Sequence, residues 1–166
     1  MDDILQTAPA LLEATLARWQ QLVATLPAAL LTRPRAPGEW AALHCLQHML
    51  DFDELVFPAR VAAFRMGTEM ADFEPDEHGR PLPAGAAPAE VLAAFTPWRT
   101  NTIRTIRGLA PGELALATRH AALGPATLGE FVHETVGHDL MHLMQAERAL
   151  QRPFADAAGP WRQYFE

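Results

Sequence analysis

Lysine is absent from the chain. That absence excludes a Schiff-base lysine, a pyridoxal-phosphate attachment point and a Walker-type phosphate loop, each of which needs the amine. Cysteine occurs once, as Cys45, so an internal disulfide and a cysteine-rich zinc site are excluded as well. Cys45 sits among apolar residues and reads as a small buried hydrophobe; the sharper alternative is a thiol beside a metal. No apolar run approaches the length needed to span a bilayer, and Met1, Asp2 and Asp3 make an acidic start where a secretory signal needs a basic one. A cytoplasmic protein without a membrane partner is the expectation. Positive charge is also scarce. The formal charge is −7 over 166 residues, and the cations are scattered arginines with no basic block. Nucleic-acid binding depends on cationic side chains neutralising phosphates, so that class of partner is not expected.

What is present is an apolar fraction of 49% and a length that suits one domain, 1–166, with a sizeable core. Apolar periodicity predicts four amphipathic helices, over about 4–26, 39–66, 88–108 and 128–150, with a tail over 151–166. In the second helix Leu43, Leu46, Leu50, Phe57, Val61 and Phe64 form the apolar face, Pro58 should kink it, and Gly67 is placed to cap it. The segment 68–87 carries Pro75, Gly79, Pro81, Pro83 and Gly85. It reads as a long crossover between distant helix ends, or as a lid over a site. Pro88 opens the third helix and Pro97 marks an irregularity within it. Residues 114–124 read as partly extended. Thr127 and Glu130 have the spacing of a capping box at the start of the fourth helix, which Pro153 is expected to end. Trp161, Tyr164 and Phe165 in the tail are expected to pack back on the domain or on a partner subunit. With no convincing strand, the fold class is all-α, and a four-helix bundle is the simplest way to bury four apolar stripes.

His138 and His142 are four residues apart on the fourth helix and therefore share a face, one turn apart. Neutral imidazole is the commonest transition-metal ligand among side chains. A third histidine from a facing helix would complete a face of three nitrogens, and His44 and His48 on the second helix are the candidates. The plainer reading of His138 and His142 is chance spacing among seven histidines, and that of His44 and His48 a surface pair or two core histidines satisfied by backbone carbonyls.

A family resemblance rests on three stretches. Gly38, Glu39 and Trp40, continuing through Leu46-Gln47-His48-Met49-Leu50-Asp51-Phe52-Asp53-Glu54, resemble the first motif of the DinB-like (DinB/YfiT-type, damage-inducible) proteins. Phe95-Thr96-Pro97-Trp98-Arg99 resembles their middle segment. The stretch from Arg119 and His120, through Gly124 to Phe131, to His138-Asp139-Leu140-Met141-His142-Leu143-Met144-Gln145 resembles their C-terminal motif closely. The resemblance covers most of the chain, from the first helix to about Leu150. It implies a four-helix bundle with a long crossover between helices two and three, which 68–87 would supply. It also implies a metal triad of His48, His138 and His142, holding one divalent transition ion per chain, zinc or nickel, and a homodimer. The family's assigned activities are metal-dependent transferases or isomerases that use low-molecular-weight thiols such as bacillithiol or mycothiol.

On that resemblance the expected activity is transfer of a small thiol, activated on a three-histidine metal site, to an electrophilic substrate in a pocket lined by Trp40, Met141 and Met144. A metal-dependent hydrolase is the alternative enzyme; the general base of an H-E-x-x-H motif is missing, since Asp139, Leu140 and Met141 separate the histidines. A non-catalytic metal-binding or stress-response bundle is the alternative outside enzymology. An open coordination position would favour catalysis, and a closed shell of four protein ligands a structural role. His44 reads as a neighbour of the ligands or as solvent-facing. Asp51 would either orient a ligand imidazole or stand as a solvated carboxylate. His120 and His133 could approach the mouth of the site, but read more simply as surface residues.

Overall fold

Asp3 starts the first helix: its Oδ1 accepts the Leu5 N–H at 3.0 Å and opens α1, Ile4–Thr25. The computed structural model describes residues 3–74 and 78–165, so Met1, Asp2 and Pro75 lie outside the described residues. Along α1 the side chains of Ala8, Leu12, Thr15, Trp19 and Leu22 are buried, a stripe with steps of three and four. One short helix, α2, Ala28–Leu31, precedes the loop to the second long element. That element is composite. α3, Ala42–Asp51, passes through a π-turn, Phe52–Val56, into α4, Phe57–Met66. In the π-turn the Phe57 N–H reaches back to the Phe52 carbonyl, one residue farther than in an α-helix. Pro58 follows at once. The irregularity expected there takes the form of an inserted residue, which gives slack beside a ring that has no N–H to donate. Gly67, at φ 66°, then ends α4 in the left-handed conformation.

α5, Pro88–Arg107, opens on Pro88 and continues through Pro97. α6, Leu128–Ala157, opens on the capping box: the Thr127 hydroxyl accepts the Glu130 N–H at 3.2 Å, and the Glu130 carboxylate accepts the Thr127 N–H at 2.8 Å. Contrary to expectation, Pro153 does not end this helix. The ion pair of Arg152 and Asp156, at 2.9 Å, spans the proline, and Ala155 is buried beyond it. Packing of this last stretch, including contact with the following turn, offsets the one hydrogen bond the proline forfeits.

α1 and α3 both pack on α5 and α6, which makes the all-α four-helix bundle. Leu12, Trp19, Leu46, Met49, Phe57 and Phe95 are among its fully buried side chains, and burying each contributes about 1.5–3 kcal/mol. A small ribbon was not foreseen as such. β1, Ala117–His120, and β2, Gly124–Thr127, pair antiparallel, with Ala117 opposite Thr127 and His120 opposite Gly124. The crossover is stitched to this ribbon by the Met70 N–H to the Arg119 carbonyl at 2.8 Å and the Ala121 N–H to the Met70 carbonyl at 3.0 Å. The tail forms a 3₁₀ turn, Gly159–Phe165, in which Trp161 and Tyr164 do not pack back on the domain, at 66% and 74% exposed, whereas Phe165 lines a cavity with Arg35 and Arg148. Among the described residues no helix is long and apolar enough to cross a membrane.

Candidate metal centre

His48 on α3 and His138 and His142 on α6 meet where these two helices pack. The Nε2 atom of His138 lies 3.0 Å from that of His48 and 3.1 Å from that of His142. Nitrogens sharing one tetrahedral zinc ion stand about 3.3 Å apart, given Zn–N bonds of about 2.0–2.1 Å. Trp40 stacks on the His142 ring at 5.8 Å and tilts against His48 at 5.3 Å, and Phe52 packs on His138 at 4.6 Å. Burial pushes the His48 imidazole down to about 4, with the neighbouring His142 adding to the effect and Asp51 opposing it. His138 is pushed down to about 3, by burial first and then by His142, His48, Arg99 and Arg60. His142 is lowered too, by burial, against the hydrogen bond to Gln145 and the charge of Asp139. All three rings are therefore neutral at physiological pH, the state a metal ligand requires.

Three neutral imidazoles cannot satisfy one another. His138 Nε2 carries either one proton or one in-plane lone pair, and it faces two nitrogens at hydrogen-bond distance. A divalent cation between the rings would accept all three lone pairs, so the residues present fit such an ion. The hydrogen bond between His142 Nδ1 and the Gln145 side-chain oxygen, at 2.9 Å, makes Nδ1 the donor and leaves Nε2 bare toward the cluster. The Nδ1 atoms of His48 and His138 are buried without a partner among the described residues. These three histidines form a group able to hold a divalent metal.

A sequence profile of the DinB superfamily matches residues 11–146. The chain belongs to the DinB superfamily. Among solved structures it is similar to YfiT from Bacillus subtilis, described as a probable metal-dependent hydrolase with an unusual four-helix bundle topology. The two are 17% identical with a TM-score of 0.73, over 90% of this chain and 87% of YfiT. It is also similar to TT2238, a four-helix bundle protein, at 18% identity and a TM-score of 0.63, over 86% of this chain and 98% of TT2238. At these identities the likeness is one of fold. No curated protein sequence matches the chain.

In this DinB-superfamily chain Trp40 divides the approach to the histidines into two clefts. One, of about 350 Å³, is lined by His44, Gln47, His48 and Asp51 and walled by Gly79 to Leu82 of the crossover. The other, of about 480 Å³, is lined by His142, Gln145, Arg35, Glu39 and Arg148. The crossover thus both links the helices and covers one side of the site. Asp51 holds it there: its carboxylate accepts the Arg80 backbone N–H at 2.8 Å and the guanidinium at 2.6 Å. Asp51 therefore binds the crossover and, among the described residues, accepts no hydrogen bond from His48, His138 or His142. His44 does not join the cluster; its Nδ1 accepts the Ala41 N–H at 3.3 Å and caps the start of α3.

Beneath the histidines lies a second polar cluster. Arg99 of α5, fully buried, pairs with Asp53 of the π-turn at 2.6 Å and with Asp139 of α6 at 2.7 Å, and its guanidinium lies over the Phe95 ring. Burial works against the Arg99 charge, but the two carboxylates outweigh it and raise its pKa. Burial also pushes the Asp53 carboxyl up, against the pull of Arg99 and with a push from Asp139. In the sequence Arg99 and Asp53 stand out only as members of longer motifs. The available signal was Arg99 on the apolar stripe of Phe95 and Ile103, where an arginine must find buried partners. Gln145 was also given no role, although it stands three residues after His142. Arg80 carried no sequence signal.

The remaining candidates lie elsewhere. His120 is buried, not a surface residue: it accepts from Arg60 at 3.0 Å and faces the N–H groups of Ala122 and Leu123 at the turn of the ribbon. His133 is exposed on α6. Cys45 is fully buried, and burial pushes its thiol up to about 12, so it is a protonated core residue outside the metal group. Of the expected pocket residues Trp40 touches the cluster, whereas Met141 and Met144 are about half exposed on α6.

Proposed function

We propose that this protein is a metal-dependent hydrolase whose ligands are His48, His138 and His142 and whose ion is a single divalent transition metal, zinc or nickel. The observation that carries the reading is the convergence of three neutral Nε2 atoms, 3.0 and 3.1 Å apart around His138, beside open clefts. A bound ion would supply Lewis acidity and a nucleophile at neutral pH. The chain's own groups do the rest: Gln145 sets the His142 tautomer, and Trp40 and Phe52 shield the rings from water on two sides. Three protein ligands leave room for substrate. The likeness to YfiT supports hydrolysis over transfer. Thiol transfer, expected from the family resemblance, rests on that resemblance alone; its thiol would come from solution, since Cys45 is sealed in the core.

The test begins with metal analysis of untagged protein. About one ion per chain is expected, and His138→Ala and His142→Ala should lose it while keeping their helical content. A panel of small esters and amides should then be turned over in water, with activity lost to a chelator and restored by zinc or nickel. Wild-type metal content in both variants would refute the ligand set; turnover only when a small thiol is added would reassign the enzyme to transfer. The assembly we propose is a homodimer joined through the exposed tail aromatics Trp161 and Tyr164, and light scattering that returns the mass of one chain would refute it.

A further inference from the structure

The two clefts beside Trp40 differ in their free charge. On the crossover side the cation, Arg80, is spent on Asp51 and Glu54. On the α6 side Arg148 has no ion pair or hydrogen bond among the described residues. Arg35 shares this cleft and reaches Glu39, the only acid lining it among the described residues, at a loose 3.8 Å. An adjoining cavity of about 290 Å³ is lined by the same two arginines and by Arg152. In a chain of net charge −7, cationic side chains thus gather at one opening, the one that His142 and its partner Gln145 also line. Among the described residues, two arginines against one glutamate leave that cleft with one uncompensated positive charge. A guanidinium fork matches the two oxygens of a carboxylate. Arg148 follows His142 by six residues, a rise of about 9 Å along α6.

We propose that the substrate carries a carboxylate, held by Arg148 and Arg35, on the side of Trp40 where His142 faces the cleft. This rests on the open three-histidine metal site proposed above and adds the chemical class of what enters it. A single carboxylate matches the net charge of the cleft; a dianionic phosphate would meet Glu39 uncompensated.

The probes are ω-mercaptoalkanoates and ω-mercaptoalkanols of three to eight carbons, titrated by calorimetry into protein loaded with cobalt, with the sulfur-to-metal absorption band reporting that sulfur is on the ion. The acids should bind at least about tenfold tighter than the alcohols, most strongly at an intermediate length. Arg148→Gln and Arg35→Gln should remove that preference while leaving metal content and alcohol affinity unchanged. Equal binding of acids and alcohols to the wild type overturns the proposal. So does a preference greatest for the shortest acid, which is chelation of the ion, a preference that survives both variants, or tighter binding of the matching ω-mercaptoalkyl phosphates. If no thiol of either series reaches the metal of fully loaded protein, the open site itself is refuted and this inference falls with it; equal binding of both series refutes the inference alone.

Discussion

α6 gives His138 to the histidine cluster and, one residue later, Asp139 to the core; α3 and the π-turn after it do the same with His48 and Asp53. The upper cluster gathers three groups of one kind, neutral imidazoles that cannot complete one another. The lower gathers opposite charges and is completed from inside by Arg99. One is open to the clefts and the other is sealed. The difference shows how a bundle this small can keep a site for an outside ion: it finishes its own electrostatics one layer down and leaves the next layer unfinished.

Acid should separate the two layers most strongly. His48 and His138 titrate at about 4 and about 3 in the folded chain, against an ordinary value of 6.5. Between those limits the unfolded chain binds more protons than the folded one. Stability is therefore fully present above pH 6.5 and is lost as pH falls through about 4 and then about 3. Urea unfolding of chelator-treated protein should show a midpoint that is flat above neutrality and drops in acid, with a shallower drop for His138→Gln. A midpoint that stays constant from neutrality down to pH 4.5 would show that the rings are not held neutral by the fold.

Next in size is the sealed layer. Arg99→Met leaves Asp53 and Asp139 buried without their cation and should cost about 3–5 kcal/mol in urea unfolding. Adding Asp53→Asn and Asp139→Asn should recover part of the loss. A cost under about 1 kcal/mol for Arg99→Met would mean that the ion triplet contributes little.

The smallest expected effect sharpens the comparison from the open side. Gln145→Leu removes the acceptor that orients His142. Metal affinity, measured by chelator competition, should fall about 10–100-fold, while the urea midpoint of the metal-free protein stays near wild type. An unchanged affinity would show that the tautomer of His142 is set by something other than Gln145.

The open layer was legible in the sequence because its grammar is local. His138 and His142 declare a shared helix face by spacing, and His48 stands on an amphipathic helix of its own. The bundle was legible for the same reason, from stripes such as Ala8, Leu12, Thr15, Trp19 and Leu22. The sealed layer was not, because Asp53, Arg99 and Asp139 come from three elements and each, read alone, is an ordinary charged helix residue. The ribbon was legible only as a partly extended 114–124, because four-residue strands leave too short an alternation to pair. Pro153 misled because a proline's local cost is visible in sequence, whereas the packing that offsets it is not.

The π-turn at Phe52–Val56 has a consequence for how this site can change over evolutionary time. An α-helix advances about 100° per residue. One extra residue in a single turn sets Ala42–Asp51 and Phe57–Met66 out of phase by that angle, so a seemingly continuous rod is two pointers mounted on one shaft. The first aims His48 at the histidines of α6; the second aims Phe57 and Phe64 at the Phe131 ring, 5.7 and 5.9 Å away. Deleting Leu55, the exposed residue of the π-turn, would keep every histidine, every carboxylate and both apolar faces in the sequence, and would swing His48 away from its partners. The centre is thus set by a count of residues as much as by their identities, and a one-codon change there can dismantle or re-aim it without touching any group that would hold the metal.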